Sequence, residues 1–140
     1  MKILIAVDGS IYTKQMLAYI AAHDEFLGTG HDYTALNVSA ALPPRASAIF
    51  DREMVKTYHD DECERVFKPI RTFFKKQGIE AQFITKVGTA GDVIARTADT
   101  GKYDLLIMGS HGHSALGNLV LGSVTNRVIA HCKTPLLLIR

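Results

Sequence analysis

The sequence predicts an α/β protein built on one doubly wound, mostly parallel sheet of five strands with four helices. Three observations carry this expectation. Short apolar runs alternate with longer segments whose apolar residues recur at helical spacing. Turn-forming residues such as Asp8-Gly9-Ser10, Gly28 to Gly30 and Gly78 punctuate the alternation. At 140 residues, with 47% apolar composition, the chain suffices for one buried core, so residues 1–140 are expected to form a single domain.

The elements follow in order. Lys2 to Val7 is a short apolar strand, ended by Asp8-Gly9-Ser10, in which Asp8 or Ser10 is placed to cap the next helix. That first helix is expected from about Ile11 to Phe26, with Met16, Leu17, Ile20 and Ala21 on its apolar side. Tyr33 to Val38 is the second strand. After it the paired prolines in Ala41-Leu42-Pro43-Pro44-Arg45 are expected to take the chain out of regular structure. A second helix starts near Asp51 and carries Cys63, Phe67, Ile70 and Phe74 at core-facing spacing. Pro69 lies within it and predicts a kink or split near Arg65 to Lys68.

Glu80 to Val87 is the third strand, and Thr89 with Asp92 resembles a capping box opening a helix that runs through Ala98. Tyr103 to Met108 is apolar apart from Asp104, as suits a strand covered on both faces. A helix over Ser123 to His131 and a strand over Pro135 to Ile139 complete the set.

The most informative stretch joins the fourth strand to the last helix. It places Gly109, Gly112, Gly117 and Gly122 in a connection longer than the ~2–6 residues usual between strand and helix. Glycines admit backbone N–H groups to an anion, and a helix opening at Ser123 aims its free amides and positive dipole end at it. The expectation is a phosphate cradle in which a Cβ at Gly112 or Gly122 would obstruct the phosphate. Gly117 to Ser123 has P-loop-like glycine spacing, but Ser123 stands where that motif requires lysine, which excludes an ordinary P-loop NTPase. Asp8 and Gly109 both end strands, and ligands of doubly wound sheets sit beyond such carboxyl ends, at the point where strand order reverses.

Composition narrows the partners. A net charge of +2, with basic and acidic residues interspersed, does not make a nucleic-acid surface. No segment reaches the ~20 apolar residues of a membrane span, and the N-terminal apolar run stops at Asp8, too short for a signal peptide. A cytoplasmic protein is expected. Cys63 and Cys132 are widely separated and are expected to be buried free thiols.

Gly109-x-x-Gly112, followed after nine residues by Gly122-Ser123, matches G-x2-G-x9-G-[ST], and with it the chain resembles the ATP-binding branch of the universal stress protein family. Matches extend over nearly the whole chain: Ile3 to Ser10, Gly88, Asp104 to Gly112, and Thr134 to Ile139. The resemblance implies a Rossmann-like adenine-nucleotide-binding fold of strand order 3-2-1-4-5 and a homodimer. It implies that Ala6 and Asp8 lie along ribose and adenine and Val38 against adenine. Met108, Gly109, Gly112, Gly122, Ser123, Val124 and Thr125 would line ribose and phosphates. The chain departs from many relatives in carrying Asn126 and then Arg127 after Ser-Val-Thr, where an acidic residue is frequent.

Other candidates keep two readings each. His111 and His113 are placed to donate to phosphate or ribose, or to hold a metal as an H-x-H pair, although no third ligand has a recognisable spacing. Asp8 either caps the first helix or meets the ligand, where it would orient a Mg²⁺ on the phosphates. Lys14 and Arg127 are phosphate counter-charges or surface residues. No nucleophile–base arrangement or carboxylate pair is legible. The functional expectation is a nucleotide-dependent sensor or switch in the stress response that binds ATP, ADP or AMP and acts on a regulatory protein partner. The alternative is a slow ATP hydrolase or nucleotidyl-handling enzyme. The apolar strand Pro135 to Ile139, at a sheet edge, is the expected dimer contact.

Overall fold

A computed structural model of the chain describes residues 1–113 and 120–140. Five strands form one parallel sheet: β1 (Lys2–Ala6), β2 (Asp32–Ser39), β3 (Ala81–Val87), β4 (Leu105–Gly109) and β5 (Leu136–Ile139), in spatial order β3-β2-β1-β4-β5. The helices are α1 (Ile11–Ala22), α2 (Asp24–Leu27), α3 (Pro44–Ile49), α4 (Arg52–Lys76), α5 (Ala90–Thr100) and α6 (Ser123–His131).

Side chains of successive strand residues point to opposite faces, and the covering helices divide accordingly. Ile3, Ile5 and Val7 of the first strand segment pack with Met16 and Ile20 of α1 and with Cys63, Phe67, Ile70 and Phe74 of α4. Leu4 and Ala6 pack on the other face with Leu36, Leu106, Met108, Ile94 of α5 and Val128 of α6. β1 lies between β2 and β4, so connections leave it in opposite directions within the sheet. Right-handed crossovers then place α1 and α4 on one face and α5 and α6 on the other. The reversal point is the seam between β1 and β4, where Ala6 pairs in register with Met108.

Among the described residues six helices stand where four are expected, for local reasons. The first helical segment breaks at His23, whose φ of −126° and ψ of 49° are not helical. Its Nδ1–H donates to the Tyr19 carbonyl at 2.9 Å and its ring stacks on Tyr19, an alternative to continuing the ladder. The paired prolines do not keep the chain irregular: Pro44 occupies the first turn of α3, where its missing N–H costs no intrahelical bond. Pro69 does not split α4, which runs as one 25-residue helix. Cys63 and Phe67 before the proline and Ile70 and Phe74 after it remain on one buried stripe against the sheet. Packing on both sides therefore outweighs the lost bond.

The capping expectations also change. Thr89 stands at the N-cap of α5 without a side-chain cap bond, and Asp92 turns instead to Arg127. Ser10 stands at the N-cap of α1 but its hydroxyl makes no capping bond, while Asp8 Oδ1 accepts from the Ser10 N–H at 2.9 Å. Cys63 is buried and Cys132 half-buried, both as free thiols. No helix among the described residues is long and apolar enough to cross a membrane.

Candidate functional site

The register builds the floor of a cavity at the carboxyl ends of the central strands. Leu36, Ala6, Met108 and Leu138 stand side by side across β2, β1, β4 and β5, on the face covered by α5 and α6. Beyond that row the strands give way to loops, and a cavity of about 420 Å³ opens between them. Binding cavities for small molecules run to about 300–1,000 Å³, so the space is of ligand size.

The ten residues that the resemblance places along a nucleotide all line this cavity: Ala6, Asp8, Val38, Met108, Gly109, Gly112, Gly122, Ser123, Val124 and Thr125. Residues 6–8 meet residues 108–109, 111–113 and 122–125 there because β1 and β4 are neighbours. His111 and His113 also line it. The wall further includes Thr13, Leu36, Ala90 and Ile94, which the sequence reading did not single out. Leu36 was legible in principle, since it lies two residues before Val38 and so on the same face of β2. Ala90 and Ile94 were not, because they enter through the packing of α5 over the sheet. Gly117, part of the P-loop-like spacing, lies outside the described residues.

Asp8 is held firmly. Its Oδ1 accepts from the Thr13 hydroxyl at 3.0 Å as well as from the Ser10 N–H, and its own N–H donates to Thr13 Oγ1 at 3.2 Å. Its Oδ2 faces Gly112, where a Cβ would come within 2.8 Å of it. A Cβ on Gly122 would stand 3.1 Å from the His111 Cα and 3.4 Å from the Ser110 carbonyl oxygen. An added Cβ would thus press on the held Asp8 carboxylate at Gly112 and on loop backbone at Gly122, contacts the spacing alone did not reveal.

The loop is fastened to the strands by its own hydrogen bonds. The Gly122 N–H donates to the Ser110 carbonyl at 2.9 Å. The Thr125 hydroxyl is shared between the carbonyls of Gly109 and Ser110, at 3.2 and 3.0 Å. The first bond of α6 runs from the Asn126 N–H to the Gly122 carbonyl, so the amides of Ser123, Val124 and Thr125 precede the intrahelical ladder at the cavity wall. Helix N-termini of this kind favour anions.

The two histidines have separate partners. His113 Nε2–H donates to the Asp8 carbonyl at 2.6 Å, which fixes its tautomer, since a carbonyl only accepts. His111 Nδ1 lies 2.8 Å from the Ser110 hydroxyl and its ring packs on Tyr12. Among the described residues no group of three or more His, Cys, Asp and Glu side chains is placed to hold a metal ion. Asp8 is the one carboxylate in the described lining, so a hard cation would reach it together with a ligand that brings further oxygens.

Arg127 does not line the cavity. It forms an ion pair with Asp92 across the α5–α6 contact. The hydrogen bond from Arg127, with its charge, holds the Asp92 carboxyl below the usual carboxylate range, and the pair raises Arg127 in turn. The described lining contains no lysine or arginine.

Universal stress protein Slr1230 of Synechocystis is 28% identical over 139 residues, covering 99% of this chain. The chain spans 42% of that relative's length. The solved structure of MJ0577 from Methanocaldococcus jannaschii superposes with a TM-score of 0.83 at 26% identity, covering 99% of this chain and 94% of that one. At 21% identity the Archaeoglobus fulgidus universal stress protein, solved in complex with dAMP, shares the fold with a TM-score of 0.68 over 100% of this chain and 98% of its own. An Arabidopsis thaliana family member solved with AMP bound shares it at 16% identity and TM-score 0.72, over 99% and 90% of the two chains. The family model for the universal stress protein family matches residues 1–140, and the chain belongs to that family.

Proposed function

We propose that this chain is an adenine-nucleotide-binding regulatory protein of the family's ATP-binding branch, a nucleotide-dependent sensor or switch in a stress response. The observation that carries the reading is the meeting, at the β1–β4 seam, of an apolar floor, a fixed carboxylate and the amides at the start of α6 that precede its intrahelical ladder. The base would lie against Val38, Leu36 and Ala6, the ribose beside Asp8, and the phosphates against Gly109, Gly112 and Ser123 to Thr125. The related structures solved with dAMP and with AMP support this choice of ligand class. A Mg²⁺ accompanying ATP would be shared between phosphate oxygens and Asp8.

Binding without rapid turnover is favoured because the described lining has no lysine or arginine to take up charge developing on a transferring phosphoryl group. A slow hydrolase is the competing reading. The protein is proposed to work in the cytoplasm, in keeping with its two free thiols, as a homodimer joined through β5.

Calorimetric titration with AMP, ADP and ATP, with and without Mg²⁺, tests the reading. Saturation at one hundred times the dissociation constant adds about 2.7 kcal/mol of stability, which a melting curve registers. No binding by any of the three nucleotides would overturn the proposal. Phosphate release at ~1 s⁻¹ or faster, lost in Ser123→Ala, would replace the sensor with the enzyme.

A further inference from the structure

A second cavity, of about 360 Å³, lies against the first and shares Asp8, Val38 and His113 with it. Its own walls include Asn37 and Ser39 from β2 and Glu62 and Arg65 from α4. None of Gly109, Gly112, Gly122, Ser123, Val124 or Thr125 reaches it. In the nucleotide reading, on which this inference rests, the second cavity therefore adjoins the ribose and base and lies away from the 5′-phosphate cradle.

Most polar groups of this compartment are already engaged. The Ser39 hydroxyl donates to Glu62 Oε2 at 3.1 Å and accepts from His59 Nδ1 at 2.7 Å, while the Tyr58 hydroxyl donates to Glu62 Oε1 at 3.1 Å. Asn37 Nδ2 donates to the Val7 carbonyl at 2.8 Å and its Oδ1 accepts from the Cys63 thiol at 3.2 Å. Asp8 Oδ1 has two donors. The groups left for a ligand include Asp8 Oδ2, facing Gly112, and the exposed Arg65 guanidinium, which takes part in neither of the two ion pairs among the described residues. In dinucleotide sites these two groups serve different riboses: a carboxylate accepts from a free hydroxyl, and an arginine accommodates a phosphate; a ribose phosphorylated at one hydroxyl and free at the other presents both.

We propose that the second compartment reads a phosphate on the ribose, so that the protein prefers an adenosine bisphosphate, phosphorylated at the 5′ position and at the 2′ or 3′ position, over a 5′-nucleotide. Asp8 Oδ2 accepts from the remaining ribose hydroxyl and Arg65 pairs with the added phosphate. Both oxygens of Glu62 and Oδ1 of Asp8 keep their protein donors, and Arg65 is the one guanidinium in the described lining that the added phosphate can meet.

The experiment is calorimetric titration of the wild type and Arg65→Gln with AMP, adenosine 3′,5′-bisphosphate and adenosine 2′,5′-bisphosphate. One bisphosphate is expected to bind the wild type at least about tenfold more tightly than AMP, as a charge-assisted contact supplies. The ratio of bisphosphate to AMP affinity, taken within each protein, is expected to fall to near unity in Arg65→Gln. Binding of AMP with no gain from either bisphosphate, or a gain that survives in Arg65→Gln, overturns this inference alone. Failure of all three ligands to bind the wild type overturns the nucleotide reading along with it.

Discussion

Arg127 grips Asp92 with two prongs, Nε lying 2.6 Å from Oδ1 and Nη2 3.0 Å from Oδ2, and so joins α6 to α5 beside the cavity. The guanidinium is spent on this carboxylate, which decides between the two sequence readings of Arg127 in favour of a surface contact. Arg127→Gln is therefore expected to change nucleotide affinity by no more than about twofold and to shift the melting temperature little, as for other exposed ion pairs. The sign with pH follows from the lowered carboxyl: the pair's contribution is present above the unfolded Asp92 value and is lost as pH falls through the folded one. Thermal melts of both proteins from neutral to acid pH check it.

Gly91 matters more than the ion pair it accompanies. A Cβ there would lie 2.7 Å from the Arg127 Cβ, a contact that no rotamer change relieves. Gly91→Ala, ordinarily favourable in a helix, is expected to push α6 off α5, to cost about 1–3 kcal/mol, and to weaken nucleotide binding by displacing the amides of Ser123 to Thr125. Gly30→Ala, with no atom within 4 Å of its added Cβ, serves as the control in urea unfolding and calorimetry.

Asp99 anchors the turn into β5. Its carboxylate accepts from the Lys133 and Thr134 N–H groups, the Thr134 hydroxyl at 2.8 Å and the Cys132 thiol. Burial pushes the Asp99 carboxyl up, but these donors together outweigh it and hold the group below its ordinary value. Asp99→Asn is expected to cost about 1–3 kcal/mol at neutral pH. The gap between variant and wild type should narrow once pH falls below about 4 and on through the lowered folded value, because the wild-type carboxylate then protonates. Melting curves against pH decide it.

β5 is the edge of the sheet next to β4. Leu106 and Ser110 donate to the carbonyls of Pro135 and Ile139, so in this parallel ladder the backbone groups of Leu136 and Leu138 point away from β4. If the proposed homodimer pairs through this edge, Leu138→Pro removes one outward donor while sparing the β4 ladder. Sedimentation is expected to give a folded monomer. A variant that stays dimeric would place the interface elsewhere.

The sequence by itself determined what depends on neighbours along the chain. Short apolar runs located all five strands, and the stripe Cys63, Phe67, Ile70 and Phe74 located the buried side of α4. The glycine spacing marked Gly109, Gly112, Gly122 and Ser123, all of which line the cavity, because turn chemistry is local. Only the tertiary structure decided what depends on segments far apart. It set Ala6 beside Met108, carried α4 through Pro69 on the strength of packing, and gave Asp92 to Arg127 in place of a capping box. It also brought α5 over the sheet to close the cavity with Ala90 and Ile94, and opened a second compartment between β2 and α4. A polar side chain has several chemically adequate partners, and strand order with crossover handedness decides which of them comes within hydrogen-bonding distance.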